Sequence, residues 1–221
     1  RGDERVLDVG CGPGLLAKAF APHVREYVGV DLTPAVVAKA ADIARAAGIA
    51  NARFEVGDAL ALPFEAASFD LALSRLALHH MSDPRRAIQQ MARALQPGGR
   101  LALFDMITSE VTEESAYHNL VERLRDPSHT RALPPSELFH YAGLAGLVAD
   151  RLETIDYDID VHDWIARADQ PAEDARKTRE LLADAIGTRR FGGRRVWRDD
   201  TGKLWFTVRW AIVCATKPAP G

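Results

Sequence analysis

The sequence predicts an α/β fold in which a mostly parallel sheet carries helices on both faces. Short apolar runs alternate with helical patterns through the first half of the 221 residues. These runs, such as 6–9 and 101–104, are apolar at nearly every position. Parallel strands need long crossover connections, usually helices, and strands covered on both faces lose the alternation of polar and apolar residues. We therefore expect right-handed strand–helix–strand units.

Each predicted element has its own local signal. Thr33 and Asp83 precede prolines, and this pair of residues starts a helix because the first side chain caps free amides and proline needs no donor. Gly48 ends the helix that Thr33 begins. The first five strands are predicted at 5–9, 27–30, 53–56, 69–74 and 100–104, with helices at about 15–22, 34–47 and 84–95.

The second half of the chain has a different pattern. Residues 152–161 alternate between apolar side chains and aspartates, which predicts a half-exposed strand near a sheet edge. Its acidic face would discourage pairing with another edge. A polar helix at 171–186 and a last strand at 204–216 follow. Length and composition, with 47% hydrophobic and 27% charged residues, favour one domain over 1–221.

Charge and cysteine content narrow the class of protein. A net charge of -3 disfavours a nucleic-acid partner, since phosphates require a basic face. Five arginines between 189 and 198 form either a solvated connection or a contact with an anionic ligand. No apolar run reaches the roughly 20 residues of a membrane span. Two cysteines form neither a zinc cage nor a disulfide framework, so we expect no metal and a cytoplasmic location.

A glycine-rich turn between the first strand and the first helix is the strongest chemical signal. Gly10, Gly12 and Gly14 let the backbone turn sharply and let a ligand approach where a Cβ would collide. The amides beyond them suit a carboxylate. A nicotinamide-binding turn has the pattern G-x-G-x-x-G, but here the third glycine comes one residue early and Leu15 follows. The spacing disfavours a nicotinamide-dependent reductase.

Two further carboxylates follow predicted strands. Asp31 ends the second strand, where it can accept hydrogen bonds from two ribose hydroxyls. Asp58, followed by Ala59, comes after the third strand and can accept from an adenine amine, although an aspartate at this point also caps turns.

Together these motifs resemble the class I S-adenosylmethionine-dependent methyltransferases. The resemblance spans residues 5 to about 106 and rests on Leu-Asp-Val-Gly-Cys-Gly-Pro-Gly from Leu7, Gly-Val-Asp31, Gly-Asp58-Ala, Phe69-Asp70 and the Leu95–Arg100 segment. Leu78-His79-His80-Met81 and Asp105 make it most similar to the group related to ubiquinone and menaquinone biosynthesis.

The resemblance implies a fold and a set of cofactor contacts. The expected fold is a Rossmann-like sheet of seven strands in the order 3-2-1-4-5-7-6, with the last strand antiparallel. Residues 1–106 would form a cofactor-binding half and 107–221 a substrate-side half. S-adenosylmethionine, converted to S-adenosylhomocysteine, would be bound by Asp8, Gly10, Cys11, Gly12, Gly14, Asp31, Leu32, Asp58, Ala59, Ser74 and Arg75.

The acceptor is expected to be a small organic molecule. The Ser-Arg-Leu-Ala segment from Ser74 lacks the motif of amino-methylating DNA enzymes and the paired glutamates of arginine methyltransferases. A base is needed for a hydroxyl or protonated amine acceptor, and His80, His118 and His129 are the candidates. A module that binds the cofactor without turnover is the alternative. The chain starts with Arg rather than Met, so we expect an upstream segment, and the resemblance implies that such a segment forms helices over the cofactor.

Overall fold

A computed structural model describes residues 2–219. The strands are β1 (Arg5–Val9), β2 (Glu26–Asp31), β3 (Ala52–Val56), β4 (Phe69–Arg75), β5 (Leu95–Met106), β6 (Val148–Asp160), β7 (Val196–Arg198) and β8 (Leu204–Thr216). The helices are α1 (Ala17–Phe20), α2 (Pro34–Ala46), α3 (Pro84–Ala94), α4 (Thr112–Arg125), α5 (Pro135–Leu144), α6 (Val161–Ala166) and α7 (Ala172–Asp184). Within this part of the chain no helix has the length and apolar character needed to cross a bilayer.

The strands form one sheet in the order β3-β2-β1-β4-β5-β8-β6, and the short β7 pairs with β8. The first five strands are parallel to their neighbours. β8 runs antiparallel to β5, because Gly98 bonds to Lys217 while Ile107 bonds to Arg209. With β8 in the place of the expected seventh strand, the predicted order is confirmed, and β7 is an addition that the sequence pattern did not show.

Of the two predicted helix caps, Asp83 and Thr33, only the first makes a side-chain capping hydrogen bond. The side chain of Asp83 caps α3 by accepting from the Arg86 amide at 2.9 Å. Thr33 occupies the cap position of α2, but its side chain makes no capping hydrogen bond. Its own amide donates instead to Oδ1 of Asp31 at 3.0 Å. The helix predicted at 15–22 is shorter, because a turn occupies 12–16 and a 3₁₀ turn follows Phe20.

β5 starts earlier than predicted. Phe69 pairs with Leu95, and Leu71 pairs with Arg100. Between these two pairs β4 advances by two residues, whereas β5 advances by five. The expected Pro-Gly-Gly turn at 97–99 is thus a bulge inside the strand, with Gly98 at a φ of 78°.

The chain forms two compact units. Unit one comprises 1–105, 138–153 and 212–221, and unit two comprises 106–137 and 154–211. Unit one packs Val6, Tyr27 and Leu71 around the start of its sheet. Unit two has its own core, in which Phe191, Phe206 and Leu182 are completely buried. The single domain with halves divided at Met106 remains a prediction.

Candidate functional site

The glycine turn after β1 is held by backbone bonds and by its unusual conformation. Gly10, Gly12 and Gly14 have φ angles of 72°, 53° and 76°, a region that side chains other than glycine rarely adopt. The amides of Gly10 and Cys11 both donate to the carbonyl of Val30, at 2.8 and 3.0 Å. The turn between β1 and α1 is therefore fastened to the end of β2.

Gly12 differs from its two neighbours in what surrounds it. A Cβ on Gly14 would lie 3.0 Å from the Phe54 ring, and one on Gly10 would overlap the Ala77 methyl. A Cβ on Gly12 would meet no atom within 4 Å. Gly10 and Gly14 thus permit close packing of protein on protein, whereas Gly12 leaves backbone open beside a cleft.

That cleft lies at the carboxyl end of β1 and β4. It is lined by Asp8, Gly10, Cys11, Gly12, Pro13, Leu15, Leu16, Arg75 and Leu76. Leu76 has a φ of 50°, which is rare for a bulky side chain and costs about 1 kcal/mol or more. Such strain is commonly found where a protein forms a binding site.

Asp8 is the buried acid of the cleft, with 1% of its surface exposed. The hydroxyl of Tyr27 donates a short hydrogen bond to its Oδ2, whereas Oδ1 has no hydrogen-bond partner among the described residues. Burial raises the pKa of Asp8 from 3.8 to about 6, against the lowering effects of the Tyr27 bond and the Arg75 charge. An unmatched buried acceptor beside a cleft is suited to a ligand donor.

Asp31 ends β2 and faces the same turn. Its Oδ2 accepts from the Gly12 amide at 3.0 Å. Leu32, the next residue, is 70% exposed, which offers an apolar surface beside the carboxylate. Asp58 accepts from the Leu60 amide at 2.8 Å through Oδ1, so it does close a turn, and Oδ2 is the oxygen that would accept from an adenine amine.

Ser74 and Arg75 end β4 as expected but differ in role. The Ser74 hydroxyl is buried and donates to the Val9 carbonyl at 2.9 Å, which joins β4 to β1. Arg75 is exposed and lines the cleft, with its guanidinium 5.9 Å from the centre of the Phe104 ring. Arg75 is therefore the more accessible of the two to a ligand.

A 3₁₀ turn after β4, Leu78–His80, carries two histidines next to the glycine turn. Met81 at its end would lie 3.7 Å from a Cβ built on Gly10. Asp105 anchors the turn: its Oδ1 bonds to Nδ1 of His79 at 2.5 Å, and its Oδ2 accepts from the Leu78 amide at 2.8 Å. His79 is buried and His80 is exposed, with ring centres 4.1 Å apart.

His118 and His129 lie in the interior of unit two. The ring of His118 is fully buried and bonds to Thr108 at 2.9 Å, Glu122 at 3.3 Å and Arg194 at 2.9 Å. Burial, with a smaller effect of Arg194, lowers its pKa from 6.5 to about 4. These contacts account for a neutral structural histidine and lend no support to a catalytic one.

The loop that contains His129 is also held by hydrogen bonds. His129 bonds through Nε2 to Oδ1 of Asn119 at 2.8 Å, and the Ala132 amide donates to the same oxygen at 2.7 Å. Ser128 donates from both its amide and its hydroxyl to Asp126, at 2.9 and 2.6 Å. His129 is thus part of a hydrogen-bonded loop next to α4.

The five clustered arginines do not form one basic surface. Arg194 is 5% exposed and serves the His118 network, Arg189 pairs with Glu114 at 3.5 Å, and Arg195 stacks on Trp197 at 4.2 Å. Arg190 lies 5.9 Å from the Tyr117 ring centre, and Arg198 donates to the Gly202 carbonyl at 2.7 Å. The arginines of this cluster therefore make separate contacts within unit two.

The cleft of unit one fits the cofactor that the sequence motifs imply. S-adenosylmethionine has an α-ammonium group, an α-carboxylate and a ribose diol. The unmatched Oδ1 of Asp8, the open backbone at Gly12 and the carboxylate of Asp31 offer complementary groups.

Comparisons with known proteins agree with this assignment. The family described as "Methyltransferase domain" matches residues 7–103. An uncharacterized methyltransferase of Bacillus subtilis, YcgJ, is 39% identical over 173 residues, which cover 78% of this chain and 68% of the relative. Its crystal structure superposes with a TM-score of 0.94, at 32% identity, over 100% of this chain and 94% of that one.

Named enzymes are also similar over shorter stretches. A ubiquinone biosynthesis O-methyltransferase of Coxiella burnetii is 32% identical over 65% of this chain and 63% of its own. The 27-O-demethylrifamycin SV methyltransferase of Amycolatopsis mediterranei is 41% identical over 48% of this chain and 40% of its own length. Sequence, sheet order and cleft agree, and the chain belongs to the class I S-adenosylmethionine-dependent methyltransferases.

Proposed function

We propose that this methyltransferase acts on a hydroxyl group of a small organic molecule and that His80 receives the hydroxyl proton. The observation that carries the proposal is the Leu78–His80 turn, which the buried Asp105 anchors beside the glycine turn with His80 exposed. An exposed imidazole on a turn beside the glycine turn is suited to meet an acceptor. Imidazole side chains are the commonest general bases in enzymes.

In this proposal, different residues of the chain bind different parts of the cofactor. When bound, S-adenosylmethionine supplies a methyl group on a sulfonium, which is already a good leaving group. Asp8, Gly12 and Asp31 hold the cofactor, and Asp58 and Ala59 are proposed to contact its adenine. Arg75 lies beside its methionine end. Holding the acceptor oxygen in line with the methyl group then supplies most of the rate.

His79 and Asp105 position the turn rather than meet the acceptor. Asp105 accepts from two backbone amides of the turn as well as from His79, so its charge holds the backbone that carries His80. Since Nδ1 of His79 is the nitrogen bonded to Asp105, the tautomer with its proton there is favoured. A loosened turn would displace His80 without altering the cofactor's own contacts.

Two relatives with named reactions support a hydroxyl acceptor. The Coxiella enzyme is named ubiquinone biosynthesis O-methyltransferase, and the Amycolatopsis enzyme is named 27-O-demethylrifamycin SV methyltransferase. A net charge of -3 agrees better with such an acceptor than with a nucleic acid.

The test is turnover with matched acceptors. The protein is incubated with S-adenosylmethionine and a panel of substituted phenols, each paired with the aniline of the same ring, and S-adenosylhomocysteine is quantified. Turnover with phenols is expected. His80→Ala should lower it at least about tenfold with unchanged affinity for S-adenosylhomocysteine. The control is His162→Ala, which removes another exposed histidine.

Turnover with anilines alone would overturn the hydroxyl acceptor. Full activity of His80→Ala would remove His80 from the proposal.

A further inference from the structure

We propose that Tyr27 is a positioning residue for the cofactor: its hydroxyl holds one oxygen of Asp8 so that the other is presented to the α-ammonium group. This inference rests on the cofactor assignment of the cleft and not on the proposed acceptor. Binding measurements can therefore overturn it while leaving the hydroxyl acceptor unaffected.

The register of two neighbouring strands brings Tyr27 to Asp8. Val6 of β1 pairs with Tyr27 of β2, and Asp8 pairs with Gly29. Tyr27 and Asp8 are therefore diagonal neighbours on one face of the sheet, a separation that an aromatic side chain can span. Gly29, two residues after Tyr27 on the same face of β2, is the direct neighbour of Asp8 and has no side chain.

Gly29 is required at that point by its surroundings. A Cβ there would lie 2.6 Å from the Phe54 ring and 2.9 Å from Sγ of Cys11. The Tyr27 ring itself is completely buried among Val6, Leu71 and Leu73. The ring is thus fixed by packing, and its hydroxyl donates to Oδ2 of Asp8.

Burial gives the single hydrogen bond its importance. Oδ2 of Asp8 accepts from Tyr27 and Oδ1 has no partner among residues 2–219. Without any hydrogen-bond partner, a buried carboxylate can rotate, and it resists ionisation. The Tyr27 bond opposes both tendencies, because it selects one rotamer and favours the charged form that a cationic ligand needs.

The other charged and titratable groups around Asp8 do not replace this bond. Arg75 at the end of β4 lowers the pKa of Asp8, and Asp31 at the end of β2 raises it, while burial, the largest effect, raises it to about 6. Cys11 is buried close by, and its own pKa is raised, so it stays a neutral thiol. Among these groups Tyr27 alone donates a hydrogen bond to the carboxylate.

The experiment uses Tyr27→Phe, which keeps the ring and removes the hydroxyl. S-adenosylhomocysteine binding is measured by calorimetry from pH 5 to pH 8 for the wild type, Tyr27→Phe, Asp8→Asn and the double variant. For the wild type, affinity should fall below a midpoint near pH 6. In Tyr27→Phe, affinity at pH 7 should be about fivefold to tenfold weaker and the midpoint should move upward.

Asp8→Asn should bind weakly without this midpoint, and the double variant should match it because both changes act through one carboxylate. A direct readout without ligand is the pH titration of the Asp8 side-chain carbon by NMR, in the wild type and in Tyr27→Phe. A merely structural tyrosine would lower the melting temperature and leave both midpoints in place.

Wild-type affinity and midpoint in Tyr27→Phe would overturn the proposal. If that variant does not fold, the wild type is prepared with 3-fluorotyrosine in place of its tyrosines. The more acidic phenol should strengthen the bond and lower the midpoint, and an unmoved midpoint would overturn the proposal.

Discussion

Asp31 and Gly12 are joined directly, since the Gly12 amide donates to Oδ2 of Asp31 at 3.0 Å. The carboxylate expected to bind the ribose thus also holds the glycine turn, and Thr33 donates to its other oxygen at 3.0 Å. One side chain therefore organises the backbone of the turn that we propose holds the cofactor.

Asp31→Ala is expected to weaken binding of S-adenosylhomocysteine by about 2–3 kcal/mol, because hydrogen bonds to a charged acceptor are lost. Titration calorimetry measures this loss. Asp42→Ala is the control, since Asp42 is an exposed carboxylate on α2 that pairs with Arg45 at 2.6 Å. A wild-type dissociation constant for Asp31→Ala would refute its role.

Gly12→Val is expected to abolish cofactor binding with a nearly native circular-dichroism spectrum. The added side chain would enter open space beside the cleft, because no atom lies within 4 Å of a Cβ at Gly12. Gly48→Val is a matched control with similar backbone strain, since Gly48 has a φ of 69° and equally open surroundings after α2. Equal binding by the two variants would contradict the assignment of Gly12.

Asp8 should make the folded state more stable on acidification. Its folded pKa of about 6 exceeds the ordinary 3.8, so the folded state holds an extra proton between these values. This contribution to the free energy of unfolding grows as the pH falls from about 6 and is complete below about 3.8. Its full size is about 3 kcal/mol.

His118 changes the free energy of unfolding with pH in the opposite direction. The contribution of Asp8 therefore has to be measured by comparing a variant with the wild type. Its folded pKa of about 4 lies below the ordinary 6.5, so stability is lost as the pH falls between these values. Urea unfolding of wild type and Asp8→Asn at pH 7 and pH 4 separates the two groups. The stability of Asp8→Asn relative to wild type should fall by about 2–3 kcal/mol at pH 4. A constant difference would show that Asp8 is not buried as described.

His118→Ala is expected to destabilise the protein by about 3 kcal/mol, because Glu122 and Arg194 would remain buried after losing a partner. His129→Ala should also destabilise, through Asn119. Turnover per folded molecule should stay within about twofold for both. Urea unfolding and turnover are measured on the same preparations. A tenfold loss of turnover with unchanged stability would instead restore these residues as acceptor-side bases.

Local chemistry is sufficient for much of the cofactor site. The glycine spacing at 10–14 predicts a turn with positive φ angles, because no other residue adopts them readily. The position of a carboxylate at the end of a strand can also be predicted, because the carboxyl ends of parallel strands lie at one edge of the sheet. Asp31 and the glycine turn therefore lie at the same edge, where the Gly12 amide donates to Asp31. The two proline-started helices follow from equally local signals, whereas the strand order was implied by the resemblance to the methyltransferase family.

The histidines show what local signals lack. His80, His118 and His129 are all candidates in the sequence, yet the first is exposed on a turn and the other two are buried in hydrogen-bonded networks. Burial depends on how helices and strands pack, and no pattern within a few residues of a histidine encodes it.

The sequence by itself determined the methyltransferase motifs, the parallel sheet and the carboxylates at its edge, because these depend on backbone conformation and on the period of apolar residues. Only the tertiary structure decided that Tyr27 reaches Asp8, that Asp105 anchors His79 and that β5 contains a bulge. Each of these depends on the register between segments 19 to 29 residues apart in the chain. Register and desolvation are properties of the packed molecule, and they set which oxygen is paired and which is left for a ligand.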